Sequence, residues 1–117
     1  MSESRRPLND HENYHAHVYY DQETLKIASS LCEKASELFG LDVGRVHQKP
    51  IGPHPRWSCQ ISFAEKHFDE IIAWIDEHRN GLTVLVHPLT GDDLKDHTDH
   101  AYWLGKSVEL KLSVFDA

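Results

Sequence analysis

Tyr14-His15-Ala16-His17-Val18-Tyr19-Tyr20 reads as a β-strand with two imidazoles on one side. Successive side chains of a strand point to opposite faces, so His15, His17 and Tyr19 share one face while Ala16, Val18 and Tyr20 share the other. One face is fit to pack and the other to do chemistry. Two neutral imidazoles at strand spacing can bind one transition-metal ion from a rigid base, leaving positions for a third protein ligand and for a substrate. Taken alone, His-x-His on a strand is more often surface decoration or dimer packing, so the reading depends on what the rest of the chain brings to that face.

Working outward, Asp21 can cap a helix in which Leu25, Ala28, Leu31, Cys32, Ala35, Leu38 and Phe39 repeat at three and four, and Gly40 ends it. A second strand is expected over about 42–48, with Val43, Arg45 and His47 on one side. The next stretch, Lys49 to Arg56, holds three prolines and a glycine, which forbid regular structure and stiffen a loop around His54. A third strand, Trp57 to Phe63, alternates cleanly: Trp57, Cys59, Ile61 and Phe63 face the core, and Ser58, Gln60 and Ser62 face away. A second helix from about Glu65 to Asn80 buries Phe68, Ile71, Ile72 and Ile75. The fourth strand, Leu82 to His87, buries Leu82, Val84 and Val86, which leaves Thr83, Leu85 and His87 on the histidine side.

Strand, helix, strand, strand, helix, strand is the pattern of an α+β, ferredoxin-like βαββαβ sandwich, an antiparallel sheet with two helices on one face. In that topology the first and fourth strands are antiparallel neighbours, which brings His87 to His15 and His17. Beyond the core, a polar loop from Pro88 to His100 is expected to merge into a short helix at Ala101 to Leu104. A fifth, C-terminal strand is expected at Val108 to Phe115, where apolar and polar residues alternate.

A chain of 117 residues suits a single domain, 1–117, with residues 1–11 as a flexible tail. Twelve basic against nineteen acidic side chains give a net charge of −7, which argues against nucleic acid, since phosphate binding rests on Lys and Arg. The first ten residues lack the apolar run of a signal peptide or membrane anchor, and Cys32 and Cys59 lack a metal-type spacing and fall on apolar faces. The expectation is a cytoplasmic protein with free buried thiols. Ten histidines, spread over strands and loops, raise the prior for a metal site.

Three histidines from two adjacent strands, His15, His17 and His87, suit Zn, Fe, Ni or Cu better than Mg or Ca. A carboxylate from the acidic loop, Asp92, Asp93 or Asp96, could complete a two-histidine, one-carboxylate set; the plain alternative is a solvated loop.

The stretches YHAHVYY (Tyr14 to Tyr20), GPHPRW (Gly52 to Trp57), LVHPLTGD (Leu85 to Asp92) and DHTDHAYWLG (Asp96 to Gly105) together resemble the DOPA 4,5-dioxygenase family, over roughly residues 12 to 115. The family motifs match at His17 with Val18-Tyr19-Tyr20, and at His54, His87 and His97. The resemblance implies extradiol cleavage of DOPA or a related catechol by O2 at a metal, Fe(II) in the first place, with Zn(II) or another divalent transition metal as an alternative occupant. On that reading His15, His17 and His87 are metal-ligand candidates. His54 and His97 are acid/base or substrate-orienting candidates, because imidazole titrates near neutrality. Arg45 or Arg56 could meet a substrate carboxylate, and Tyr19, Trp57 and Trp103 could flank an aromatic ring, although packing is the commoner use of such residues. A different class of function, a non-catalytic metal- or ligand-binding module on the same scaffold, uses the same residues, since fold does not imply chemistry. The sheet face opposite the helices needs a cover, and a homodimer is the expected assembly.

Overall fold

Burial along the first strand follows the period of two: Tyr14, Ala16, Val18 and Tyr20 lie in the hydrophobic core, and His15, His17 and Tyr19 lie on the opposite face. The computed structural model describes residues 9–115. Its elements are β1 (Asn13–Tyr20), α1 (Leu25–Phe39), β2 (Asp42–Val43), β3 (Trp57–Ala64), α2 (Phe68–His78), β4 (Val84–Pro88), α3 (Asp93–Asp96) and β5 (Tyr102–Leu104). They form one antiparallel sheet in the order β2-β3-β1-β4-β5, whose first four strands have the ferredoxin-like arrangement. The expected α+β fold is the one observed.

Both long helices cover the same face. Ala28, Leu31, Cys32 and Ala35 of α1, with Phe68, Ile71, Ile72 and Ile75 of α2, join Ile61, Val84 and Val86 of the sheet in one core. Helical spacing of these apolar residues explains the choice, because it places each set on one stripe. α1 stops at Gly40, whose φ of 66° is left-handed and whose N–H donates to the Ser36 carbonyl. Cys32 and Cys59 are buried and free, as expected. Among the described residues no helix is long and apolar enough to cross a membrane.

Four local expectations differ from the structure. α1 begins at Leu25, because Asp21 spends its carboxylate on a turn, accepting hydrogen bonds from the Thr24 N–H and hydroxyl. The second strand pairs over Asp42–Val43 and then bulges: the N–H groups of Gly44 and His47, three residues apart, bond to the carbonyls of Gln60 and Ser58, two apart. That extra residue ends the regular alternation expected of Arg45 and His47. Ala101 to Leu104 is not a helix. Tyr102 and Leu104 face the core around Trp103, so residues 102–104 form the extra strand β5 against β4. The helical turn lies earlier, at α3, where the Asp92 carboxylate caps by accepting from the Lys95 N–H.

The expected strand at Val108 to Phe115 is likewise absent. β5 occupies the β4 edge, and the 108–115 segment pairs with no strand among the described residues. It runs instead against the loop of His54, where the Lys111 N–H donates to the Pro53 carbonyl, and closes in a 3-10 turn at Leu112–Phe115, with Leu112 and Val114 exposed. Of the expected N-terminal tail, residues 1–8 lie outside the described residues. Asn9 is tied down: its amide donates to the Glu65 carbonyl and its Oδ1 accepts from the Tyr14 hydroxyl.

Candidate metal centre

The register of the sheet assembles the centre. His15 stands directly opposite His87 across the β1–β4 pair, and His17 opposite Leu85, so His17 and His87 are diagonal neighbours on one face. On its other side His17 faces Gln60 of β3. The proline-stiffened loop lowers His54 onto this face, and the turn after α3 brings His97. Ring centroids then lie 4.1 Å apart for His17 and His54, 5.0 Å for His17 and His87, and 4.2 Å for His87 and His97. Five imidazoles share one site, in two overlapping groups: His15, His17 and His87, and His17, His54 and His97, with ligating atoms within 4.8 Å of one another in each.

The surroundings favour neutral rings with lone pairs available. His17, His54 and His87 are buried. Burial, reinforced by the neighbouring imidazoles, holds His17 well below the usual histidine range, and it brings His54 and His87 down to about 4. For His87 the hydrogen bond to the Pro88 carbonyl and the nearby Asp96 charge oppose burial without overcoming it. His15, half-buried, is lowered by the same desolvation.

Backbone carbonyls fix two of the rings. Nδ1 of His87 donates to the Pro88 carbonyl at 2.9 Å, and Nδ1 of His97 donates to the Asp93 carbonyl at 2.7 Å. A carbonyl can only accept, so in both rings the neutral form keeps its lone pair on Nε2. The Nε2 atoms of His87 and His17 stand 3.0 Å apart. Two nitrogens bound to one ion at 2.0–2.1 Å lie roughly 3 Å from each other, so this pair already has the spacing of adjacent ligands. The donor set therefore fits a transition-metal ion.

The carboxylates of the acidic loop do another job. Asp96 is buried and accepts from the Thr90 N–H at 3.0 Å and the Thr90 hydroxyl at 2.6 Å, while Asp92 caps α3. Both hold the loop that carries His97. Among the described residues, the two groups able to share an ion consist of histidine alone.

The remaining candidates are spread around the rim. Tyr19 is buried, its hydroxyl 2.6 Å from His54 Nδ1 and its ring 6.2 Å from that of Trp103. Arg56 is exposed and lines a cavity of about 600 Å³ with Tyr19, Tyr20, Trp57 and Thr83. Arg45 is exposed on the bulged edge, with β3 between it and the cluster. Sequence reasoning passed over Gln60, whose amide lies 3.3 Å from His15 Nε2 and so helps orient that ring. The alternation of β3 had placed Gln60 on the correct face, but alternation does not say which strand lies alongside. Phe115 was expected in a strand; its ring instead lies 4.9 Å from that of His97.

Comparison with known proteins bears on this geometry. Residues 14–114 match the model of the Dopa 4,5-dioxygenase family. The chain belongs to the DOPA 4,5-dioxygenase family. Among its relatives are the DOPA 4,5-dioxygenase of Amanita muscaria, 29% identical over 111 residues covering 87% of this chain and 49% of that protein, and an uncharacterised 21.2 kDa protein of Botryotinia fuckeliana, 34% identical over 113 residues covering 86% and 62%. The chain thus spans about half to three fifths of the length of these relatives. A crystal structure from Nostoc punctiforme, described as a candidate dioxygenase, superposes with a TM-score of 0.87 at 35% identity, covering 95% of this chain and 96% of that one. Every histidine of the cluster falls inside the family match.

Proposed function

We propose that this protein is a metal-dependent extradiol dioxygenase that opens the ring of DOPA or a related catechol with O2. The observation that carries the reading is the all-imidazole cluster on the sheet face away from the helices, in which His17 and His87 already have the spacing of two ligands on one ion. Family membership supports the same chemistry. His15, His17 and His87 would hold the metal, Fe(II) first and Zn(II) or another divalent ion as a possible substitute. Bound there, Fe(II) would supply redox-active Lewis-acid chemistry toward a catechol and dioxygen.

The chain's own groups do the rest. Both atoms of O2 enter the product, so no external reductant is consumed, and the protein's task is to orient the ring and manage a proton. The lone pair on His97 Nε2 can take a catechol proton, since the Asp93 carbonyl fixes the other nitrogen as the donor. Trp103, its ring 6.2 Å from that of Tyr19, would flank the aromatic ring. Arg56 rather than Arg45 would meet a substrate carboxylate, because it lines a cavity with Tyr19, the partner of His54, whereas β3 stands between Arg45 and the cluster. The 48–56 and 89–100 loops carry His54 and His97 over the cluster, and Phe115 lies against His97, so these segments would limit the access of water.

The test is anaerobic loading with Fe(II), followed by oxygen and a panel of catechols. Oxygen uptake matched by a yellow semialdehyde product is the expected result. Absence of both across the panel, with one equivalent of iron bound, would leave the non-catalytic metal-binding module as the surviving reading.

A further inference from the structure

The five histidines do not carry their protons alike, and Tyr19 sets the exception. A phenol has one proton to give and two lone pairs to offer. Tyr19 is 1% exposed as a residue, and His54 Nδ1, at 2.6 Å, is the one hydrogen-bond partner of its hydroxyl among the described residues. If Nδ1 of His54 were the donor, the phenol proton would be buried with no acceptor, which is unfavourable. If the phenol donates, no proton is orphaned. The single proton of the neutral ring then sits on Nε2, the nitrogen that Tyr19 does not engage. His87 and His97 are arranged the other way round, each with Nδ1 donating to a carbonyl and Nε2 bearing the lone pair.

We infer that Tyr19 is a positioning residue: by donating its hydroxyl proton to His54 Nδ1, it holds His54 as the Nε2–H tautomer, a fixed hydrogen-bond donor for an oxyanion rather than a metal ligand. One consequence concerns the metal. The two overlapping histidine groups cannot both be ligand sets, and an Nε2–H on His54 removes the group of His17, His54 and His97, leaving His15, His17 and His87.

A second consequence concerns the chemistry. His54 cannot give up its Nε2 proton without becoming an imidazolate, so it stabilises negative charge by hydrogen bonding and transfers nothing. The acceptor is His97, whose Nε2 keeps the lone pair because its Nδ1 donates to the Asp93 carbonyl. The site so contains one neutral donor and one neutral acceptor, preset by a phenol on one side and a carbonyl on the other. This assignment of roles rests on the dioxygenase reading; the tautomer itself does not.

The experiment is nitrogen-15 NMR of the imidazole rings in the full chain at neutral pH, combined with Zn(II) titration of variants. The wild type should show a protonated Nε2 on His54, and protonated Nδ1 on His87 and His97. Tyr19→Phe, which keeps the ring and removes the hydroxyl, should release His54 to a mixture of tautomers while Zn(II) still binds at one equivalent. His54→Ala should retain Zn(II) with little change in affinity, whereas His15→Ala and His87→Ala should each lose about 100-fold or more. A protonated Nδ1 on wild-type His54, an unchanged His54 signal in Tyr19→Phe, or loss of Zn(II) in His54→Ala to the same degree as in His87→Ala would each overturn the inference. Failure to turn over any catechol would overturn the proposed function and leave the tautomer standing.

Discussion

Lowering the pH of the metal-free protein should begin to destabilise it near pH 6.5, where free imidazoles take up protons and carboxylates do not yet. The folded chain refuses protons at His17, His54 and His87, where burial pushes the imidazoles down, to about 4 for the latter two. In the unfolded chain the same rings return to about 6.5. A group depressed in this way contributes stability that is fully present above about pH 6.5 and is lost as pH falls toward 4, because the unfolded state gains protons that the folded state does not. Each ring adds a slope of up to 1.4 kcal/mol per pH unit, roughly, so three add about 4 kcal/mol per unit near pH 5. His87 alone, moving from 6.5 to about 4, accounts for at most about 3 kcal/mol. His54, less completely sheltered from solvent, contributes a discounted share.

Against a total stability of roughly 5–15 kcal/mol, such a slope is enough to bring the domain to its midpoint between about pH 5 and 4. Urea unfolding followed by fluorescence of the three tryptophans, at several pH values between 7.5 and 4.5 in chelator, measures it. The variant His87→Gln should lose about one proton from the slope. A urea midpoint that stays constant from pH 7.5 to 5 would refute the reasoning, since it would mean that the buried rings are already charged or are open to water in the native state.

Three further outcomes are expected. Saturating Zn(II) should stabilise the protein by about 2.7 kcal/mol at a hundred times its dissociation constant, displace the acid transition to lower pH, and be reversed by chelator; an unchanged melting temperature would argue against the site. Asp96→Ala should cost about 1.5–3 kcal/mol by releasing Thr90, and should lower activity more than Zn(II) binding because the freed loop carries His97, as stability and turnover measurements would show. Sedimentation equilibrium should return twice the 13.5 kDa chain mass for the proposed homodimer; a mass of 13.5 kDa with metal bound would rule it out.

What the sequence disclosed and what it withheld divide along a physical line. Period-two and period-3.6 patterns are consequences of one-sided burial, so β1, β3, β4 and the two long helices could be read from Tyr14, Ala16, Val18, Ile61, Val84 and Ile71 without knowing their neighbours. The antiparallel pairing of β1 with β4 followed from topology, and with it the meeting of His15, His17 and His87. Alternation over Val108 to Phe115 is the same signal without a partner: a strand is fixed by hydrogen bonds to another strand, and β5 had already taken the β4 edge. The bulge after Val43 was hidden for a similar reason, since an extra residue shows only once the opposing carbonyls of Gln60 and Ser58 are known. That these histidines gather on one face was thus legible, whereas their proton positions were not. A ring's tautomer is set by the group behind it, and the phenol behind His54 comes from 35 residues away in the chain, a separation at which no pattern in the sequence reports a contact. The chemistry of the site therefore depends on contacts with Tyr19, Asp93 and Pro88 that no histidine spacing encodes.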